Sequence, residues 1–487
     1  MHWIDLLIVC FFLGGFAFYG IWQSKLNKSS DDYFLGGRKL PWPVAMLSIV
    51  ATETSVLTFI SVPGLAYRGD WAFLQLSIGY IIGRMMVSTF LLPQYFKHGI
   101  SSIYEILGKK FGIEIQKAAS GVFLITRVLA DGVRFLATAV IVQLVTGWSL
   151  QFSVIIIGLV TLIYSLSGGI RTIVWIDSLQ FVLYLMGGIL SIFFILNYLD
   201  QSFVYSIKYL YNSSKLSIFD FNGNPLIDPF FFISAILGGI LLSFSSHGVD
   251  YMMVQRVLGT RDLSSAQKAM VGSGFFVAIQ FIIFLFAGSL IFILFDGTVL
   301  EQDREFTTFI INYLPVGIKG LLLAGVLSAA MSTLSSSINS LSSSVINDWM
   351  GGNKTIKESQ FVSFFWGIIL ILIALLFDES DSAIVIVGLQ IASFTYGGLL
   401  GLFLLSRLDR NINKYSLILG LISSLLIVFY LKMIGLSWTW FILVSVLTNI
   451  FITILVQLIF DYYAKKKIIL KKLTNNVFYI LHPFYHI

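Results

Sequence analysis

The densest chemical signal in the sequence lies at residues 328–344, Ser-Ala-Ala-Met-Ser-Thr-Leu-Ser-Ser-Ser-Ile-Asn-Ser-Leu-Ser-Ser-Ser. Positions 332, 335/336, 339 and 343 share one face at helical spacing. Hydroxyl oxygens are neutral, hard ligands that suit a small dehydrated cation. Small residues also form packing stripes between helices, but packing alone seldom gathers so many hydroxyls. A second patch, Val50-Ala-Thr-Glu-Thr-Ser-Val-Leu-Thr58, is followed by Pro63-Gly64 and reads as an interrupted helix around Glu53. Such interruptions are tolerated in a membrane where the freed backbone lines a cavity; the plainer reading is a kink with Glu53 paired to an arginine. Ser243-Phe-Ser-Ser-His-Gly-Val-Asp250 is a similar break, with His247 either a ligand or a satisfied core histidine. Asp177 is a lone carboxylate that either pairs with an arginine or ligates a cation. Arg127, Asp131 and Arg134 stand at i, i+4 and i+7, so Asp131 can pair with either arginine. The remaining positive charge is then available to Glu53 or to a solute carboxylate.

The elements that position these residues must cross a membrane. Of 487 residues, 57% are hydrophobic and 11% charged, against roughly 25% charged in soluble domains, and mean hydropathy is +0.89. A water-soluble enzyme is excluded, and a disordered chain disagrees with 44 Phe and 8 Pro. The single Cys10 rules out a disulfide framework, and the five histidines are too scattered for a metal motif. No nucleophile–base constellation points to an enzyme. The net charge of +6 is spread over short loops rather than gathered on one face, which argues against nucleic acid. About 20 apolar residues cross the hydrocarbon core as a helix, which predicts thirteen spans centred near residues 13, 55, 84, 131, 159, 185, 243, 280, 330, 368, 394, 421 and 449. The longest connections, about 200–228 and 296–315, read as ordered caps, with a short outer helix before the ninth span. Loops on one side hold 22 of the 31 Lys and Arg, Arg256 among them; opposing loops hold 6, and Arg84, Arg127 and Arg134 lie inside spans. That split puts the N-terminus outside and the C-terminus in the cytoplasm. The two breaks are five spans apart, as two repeated halves of five spans would place them. Paired broken helices point to a transporter's binding site.

Three stretches resemble the sodium:solute symporter family, and the resemblance runs over nearly the whole chain. The first is Asp32-Tyr-Phe-Leu-Gly36-Gly37-Arg38 with Leu40-Pro-Trp, Ala51-Thr-Glu-Thr-Ser and Pro63-Gly-Leu-Ala-Tyr67. The others are Ser167-Gly-Gly-Ile with Trp175-Ile-Asp177 and Gln180, and Gly317-Ile-Lys-Gly320-Leu leading to Ala329 and the serine row. The resemblance implies an all-α polytopic membrane protein with the inverted five-helix repeat of LeuT. Core repeats would cover about 42–199 and 229–408, with extra helices at about 4–23, 413–431 and 437–461 and a cytoplasmic tail at 462–487. It implies a principal sodium site at the carbonyls of Ala51, Thr54 and Ala329 and the hydroxyls of Ser332 and Thr333. A second sodium, bound by some members, would use Asp177, Ser335 and Ser336. Expected solute contacts are Glu53, Ser55, Thr58, Gln75, Arg134, His247 and Asp250. The expected function is sodium-coupled import, by a monomer in the plasma (inner) membrane bilayer, of a small organic solute of the sugar or polyol, amino-acid or carboxylate class. The alternatives are proton coupling on the same fold, since Glu53 and Asp177 could titrate, and, more remotely, a transporter-like sensor.

Overall fold

The computed structural model describes residues 2–23, 29–54, 56–352, 354–376 and 384–481, and among these it forms helices and no β-strand. The first half comprises α1 (Trp3–Gln23), α2 (Ser30–Leu35), α3 (Trp42–Glu53), α4 (Val56–Arg68), α5 (Gln75–Met86), α6 (Leu92–His98), α7 (Glu105–Phe111), α8 (Ile113–Thr146), α9 (Leu150–Tyr198) and α10 (Phe203–Asn212). The second comprises α11 (Phe232–Ser246), α12 (Tyr251–Leu258), α13 (Leu263–Leu294), α14 (Glu305–Tyr313), α15 (Ile318–Ser344), α16 (Ile356–Ala374), α17 (Ile384–Ser406), α18 (Lys414–Met433) and α19 (Phe441–Leu481).

Among the described residues, nine helical segments are long and apolar enough to cross a bilayer, and eleven if each of two bent pairs counts as one span. The bent pairs are the two expected breaks: α3 to α4 turns by 61° and α11 to α12 by 62°. Thirteen spans were expected, and two physical facts account for the difference. The 49 residues of α9 would reach roughly 74 Å at 1.5 Å per residue, more than twice the hydrocarbon thickness of about 30 Å. Its backbone leaves helical geometry at Gly169, φ 62° and ψ −169°, where a Cβ would stand 2.5 Å from the carbonyl oxygen of Tyr33. One continuous run therefore holds two of the expected crossings. The 34-residue α8, about 51 Å long at 1.5 Å per residue, also has the length to cross and holds a further expected crossing. The expected outer caps are the helices α10 and α14, and the expected tail 462–487 begins as a continuation of α19, helical through Leu481.

The serine-rich helix α15 is central. In its most apolar stretch α15 is 89% buried, against 22% for α1, and it packs on α9, α8, α16 and α1. Its N-terminal amides are capped from another helix: buried Asp5 of α1 accepts from Gly317 N at 2.7 Å and Gly320 N at 2.9 Å. Such side-chain acceptors satisfy donors that a helix start leaves unpaired. α5 and α11 approach backbone to backbone, since a Cβ on Gly79 or Gly83 would lie 2.5 Å from the carbonyl of Ile236 or Ile240. Arg256 was expected in a cytoplasmic loop. It lies instead on α12, fully buried, because the second broken helix carries its charge inward to a carboxylate.

Candidate functional site

The end of α3 and the middle of α15 pack against each other. α3 stops after Glu53, and Thr54 leaves helical geometry at φ −87°, ψ 76°. Both Thr54 N, at 2.9 Å, and Thr54 Oγ1, at 2.5 Å, donate to Val50 O. Ala51, Thr54, Ala329, Ser332 and Thr333 are all buried. Thr333 Oγ1 donates to Ala329 O at 3.2 Å, whereas Ser332 Oγ is buried with no hydrogen-bond partner. A buried hydroxyl without a hydrogen-bond partner is costly. Ser55 lies outside the described residues.

Asp177 of α9 gathers a second cluster. Its Oδ2 accepts from Ser48 Oγ at 2.6 Å and from Thr52 Oγ1 at 3.4 Å, and pairs with Arg256 Nη2 at 3.2 Å. Arg256 also donates to Ser336 Oγ and, through Nε, to Ser48 Oγ at 2.9 Å. The expected second cation site therefore already holds a guanidinium. Ser335 Oγ turns back to Ser332 O at 3.1 Å. Asp177 Oδ1 remains without a hydrogen bond, as does Ser332 Oγ, which faces that carboxylate.

Between the two breaks lies a cavity lined by Glu53, Thr54, Thr58, Arg127, Arg134, Ser246 and His247, with Phe73, Tyr80, Phe281 and Tyr396 among its apolar walls. Four expected solute contacts are thus brought together: Glu53, Thr58, Arg134 and His247. Two expected contacts are placed elsewhere. Gln75 spends its amide on Ala72 O at 3.1 Å and Phe230 O at 2.7 Å, away from the cavity. Asp250 caps α12 through Met252 N at 2.9 Å, accepts from Tyr396 Oη and pairs with Arg127 Nε at 3.4 Å. Arg127 itself, absent from the expected contacts, lines the cavity; its i, i+4 spacing to Asp131 was the available signal.

The sequence left one of Arg127 and Arg134 available to Glu53 or to a solute carboxylate. The structure pairs Glu53 with Arg84 of α5, with His247 Nε2 3.5 Å away. Arg134 instead faces Asp131 at 3.6 Å, which also sits 3.7 Å from Arg127 and accepts from Ser337 Oγ. Nε and Nη1 of Arg134 are buried and make no hydrogen bond.

A further ion pair lies outside the cavity lining. Arg68, at the end of α4, pairs with Glu305 at the start of α14 and lies 3.5 Å from Asp303. Burial, the largest influence, pushes the Glu305 carboxyl above the ordinary carboxylate range; Arg68 opposes this and Asp303 adds to it. The folded protein thus holds that proton more readily than the unfolded chain. Ionisation costs stability above the raised value, and acidification through it removes that cost while discharging the tie to Arg68. Uptake measured against pH on the α14 side should show an acid limb set above the ordinary carboxylate range, absent in Glu305→Gln. An identical profile in that variant would assign the limb to another group.

Broken helices around a cavity, a hydroxyl-rich cation helix and paired intramembrane charges define a cation-coupled transporter rather than an enzyme. The sequence profile of the sodium:solute symporter family matches residues 33–423, and the chain belongs to that family; it is a sodium-coupled solute symporter. Similar curated proteins include the sodium/sialic acid symporter NanT of Aliivibrio fischeri, 26% identical over 455 residues that cover 86% of each chain. The sodium-coupled monocarboxylate transporter 2 of Bos taurus is 26% identical over 436 residues, covering 85% of this chain and 69% of that one. Among solved structures, a substrate-bound, outward-open Na+-coupled sialic acid symporter superposes with a TM-score of 0.83 at 24% identity, covering 92% of this chain and 96% of that one. Mhp1, a nucleobase-cation-symport-1 family transporter, gives 0.59 at 13% identity over 90% of this chain and 96% of that one.

Proposed function

We propose that this symporter imports a small solute bearing a carboxylate, with the anionic group held at Arg134. The observation that carries the reading is a guanidinium lining the cavity whose buried Nε and Nη1 make no hydrogen bond, Nη1 lying only at ion-pair distance, 3.6 Å, from Asp131. A guanidinium presents a planar fork that matches a carboxylate. His247 Nε2, also buried without a hydrogen bond, and Thr58 supply contacts for a second polar group, and the aromatic walls suit the solute's apolar part. Curated relatives named for sialic acid and for monocarboxylates fit the same chemistry. Sodium is assigned to Ala51, Thr54, Ala329, Ser332 and Thr333. A second ion at Asp177, Ser335 and Ser336 would have to share Asp177 and Ser336 with Arg256. The site alternates its access as the core rocks around it, in a monomer with its N-terminus outside and its C-terminus in the cytoplasm.

The test is uptake into proteoliposomes under an imposed sodium gradient, with carboxylates, their amides and neutral polyols compared. Carboxylates should be carried and their amides rejected. Arg134→Gln should weaken carboxylate recognition by roughly 10- to 100-fold, the range for losing a charge-assisted hydrogen-bond pair. Neutral polyols carried equally well by the unaltered protein and by Arg134→Gln would overturn the assignment.

A further inference from the structure

Arg84 lies outside the cavity lining, yet it touches the residue that stands between two proposed sodium carbonyls. Glu53 closes α3, with Ala51 two residues before it and Thr54 directly after. It lines the cavity at 17% exposure, while its Arg84 partner is fully buried. Arg84 Nη1 donates to Ser273 Oγ at 2.5 Å, and Ser273 Oγ donates to Met270 O at 2.6 Å. α5, α13 and His247 of the second break therefore all converge on the end of α3.

A carboxylate is electrostatically misplaced there. The carbonyl end of a helix is already negative, and in a medium of low dielectric a second negative charge adds strongly to the attraction for a cation. Unpaired, Glu53 would deepen the sodium site, slowing release of the ion that the cycle must discharge. Arg84 cancels that charge from the side away from the cavity.

We propose that Arg84 sets the strength of sodium binding by neutralising Glu53, so that sodium is held by neutral oxygens alone. The inference rests on the sodium assignment made above. It predicts opposite signs for two substitutions that a purely structural brace would make equivalent. Arg84→Gln exposes the anion and tightens sodium; Glu53→Gln exposes the guanidinium and loosens it.

The experiment measures sodium dependence of uptake and of thermal stabilisation at about pH 8.5, above the ordinary imidazole range, so that His247 does not supply a replacement charge. The half-saturating sodium concentration should fall about tenfold in Arg84→Gln, with a lower maximal rate, and rise about tenfold in Glu53→Gln. The double variant Glu53→Gln/Arg84→Gln should return to within about twofold of the unaltered protein. Weakening in both single variants would reduce the pair to a brace and overturn the proposal. Sodium weakened tenfold in the double variant would make Glu53 a ligand and overturn it as well. Should the single variants fail to fold, Arg84→Lys, which keeps the positive charge but not the guanidinium contacts to Ser273 and Glu53, decides instead: half-saturating sodium should stay within about twofold of the unaltered protein, and a tenfold weakening would overturn the proposal. Ser332→Ala separates the two layers. If it leaves sodium dependence unchanged, the site assignment has failed; if it weakens sodium while Arg84→Gln does too, only the role of Arg84 has failed.

Discussion

Ser332→Ala is expected to raise the sodium concentration for half-maximal uptake by about tenfold or more while leaving the melting temperature unchanged without sodium. Two features of this hydroxyl separate the effects. Apart from the Asp177 carboxylate that it faces it has no hydrogen-bond partner, and that carboxylate keeps Ser48, Thr52 and Arg256, so its removal strands no other buried group, and stranded partners are the usual source of large losses. Its neighbour Thr333 is different, since Thr333 Oγ1 is tied to Ala329 O and its removal mixes a local loss with a ligand loss. Added sodium should raise the melting temperature of the unaltered protein by mass action and do so far less in Ser332→Ala. Equal sodium stabilisation in both proteins would place the ion elsewhere.

The second large effect is expected at Asp177. Replacing it by Asn leaves Arg256, fully buried, without its only ion-pair partner among the described residues. Breaking a buried pair from one side costs about 3–5 kcal/mol, a large fraction of a typical stability of about 5–15 kcal/mol. Asp177→Asn should therefore reach the membrane in much reduced amount, or melt well below the unaltered protein. Asp177→Asn/Arg256→Gln should recover most of the loss, because no charge is then left alone. Normal stability in the single variant, together with a lowered sodium Hill coefficient, would identify Asp177 as an ion ligand rather than the anchor of α12.

The broken helices were legible because interruption leaves a local mark: clustered oxygens, a Pro-Gly pair, a His-Gly step. The serine row of α15 was legible for the same reason. Partners distant in sequence left no such mark. Arg84 is 31 positions from Glu53 and Arg256 is 79 from Asp177, and no helical period relates such separations. Loop counting put Arg256 in solvent because α12 is only 8 residues long and its polar run looks like a loop. The hydroxyl stripe proved to hold two roles at once. Ser336, Asn339 and Ser343 meet Arg256, Gln255 and Tyr251 in an antiparallel seam along α12, so part of the stripe is packing after all, while Ser332 keeps a free oxygen. The structure uses Asp250 as a cap and Gln75 as a strut, because a carboxylate or amide near a break serves equally well in several roles and only packing decides which.

The pairing of intramembrane charges has an electrical consequence. Glu53, Asp131, Asp177 and Asp250 are matched by Arg84, Arg127, Arg134 and Arg256, so when all are ionised this set is electroneutral. This set then contributes no net charge of its own for the field to move, and the cargo adds whatever charge it carries. A neutral solute carried with one sodium ion would gain about 2.3 kcal/mol per 100 mV, while an anion accompanied by one sodium ion would gain none and produce no current.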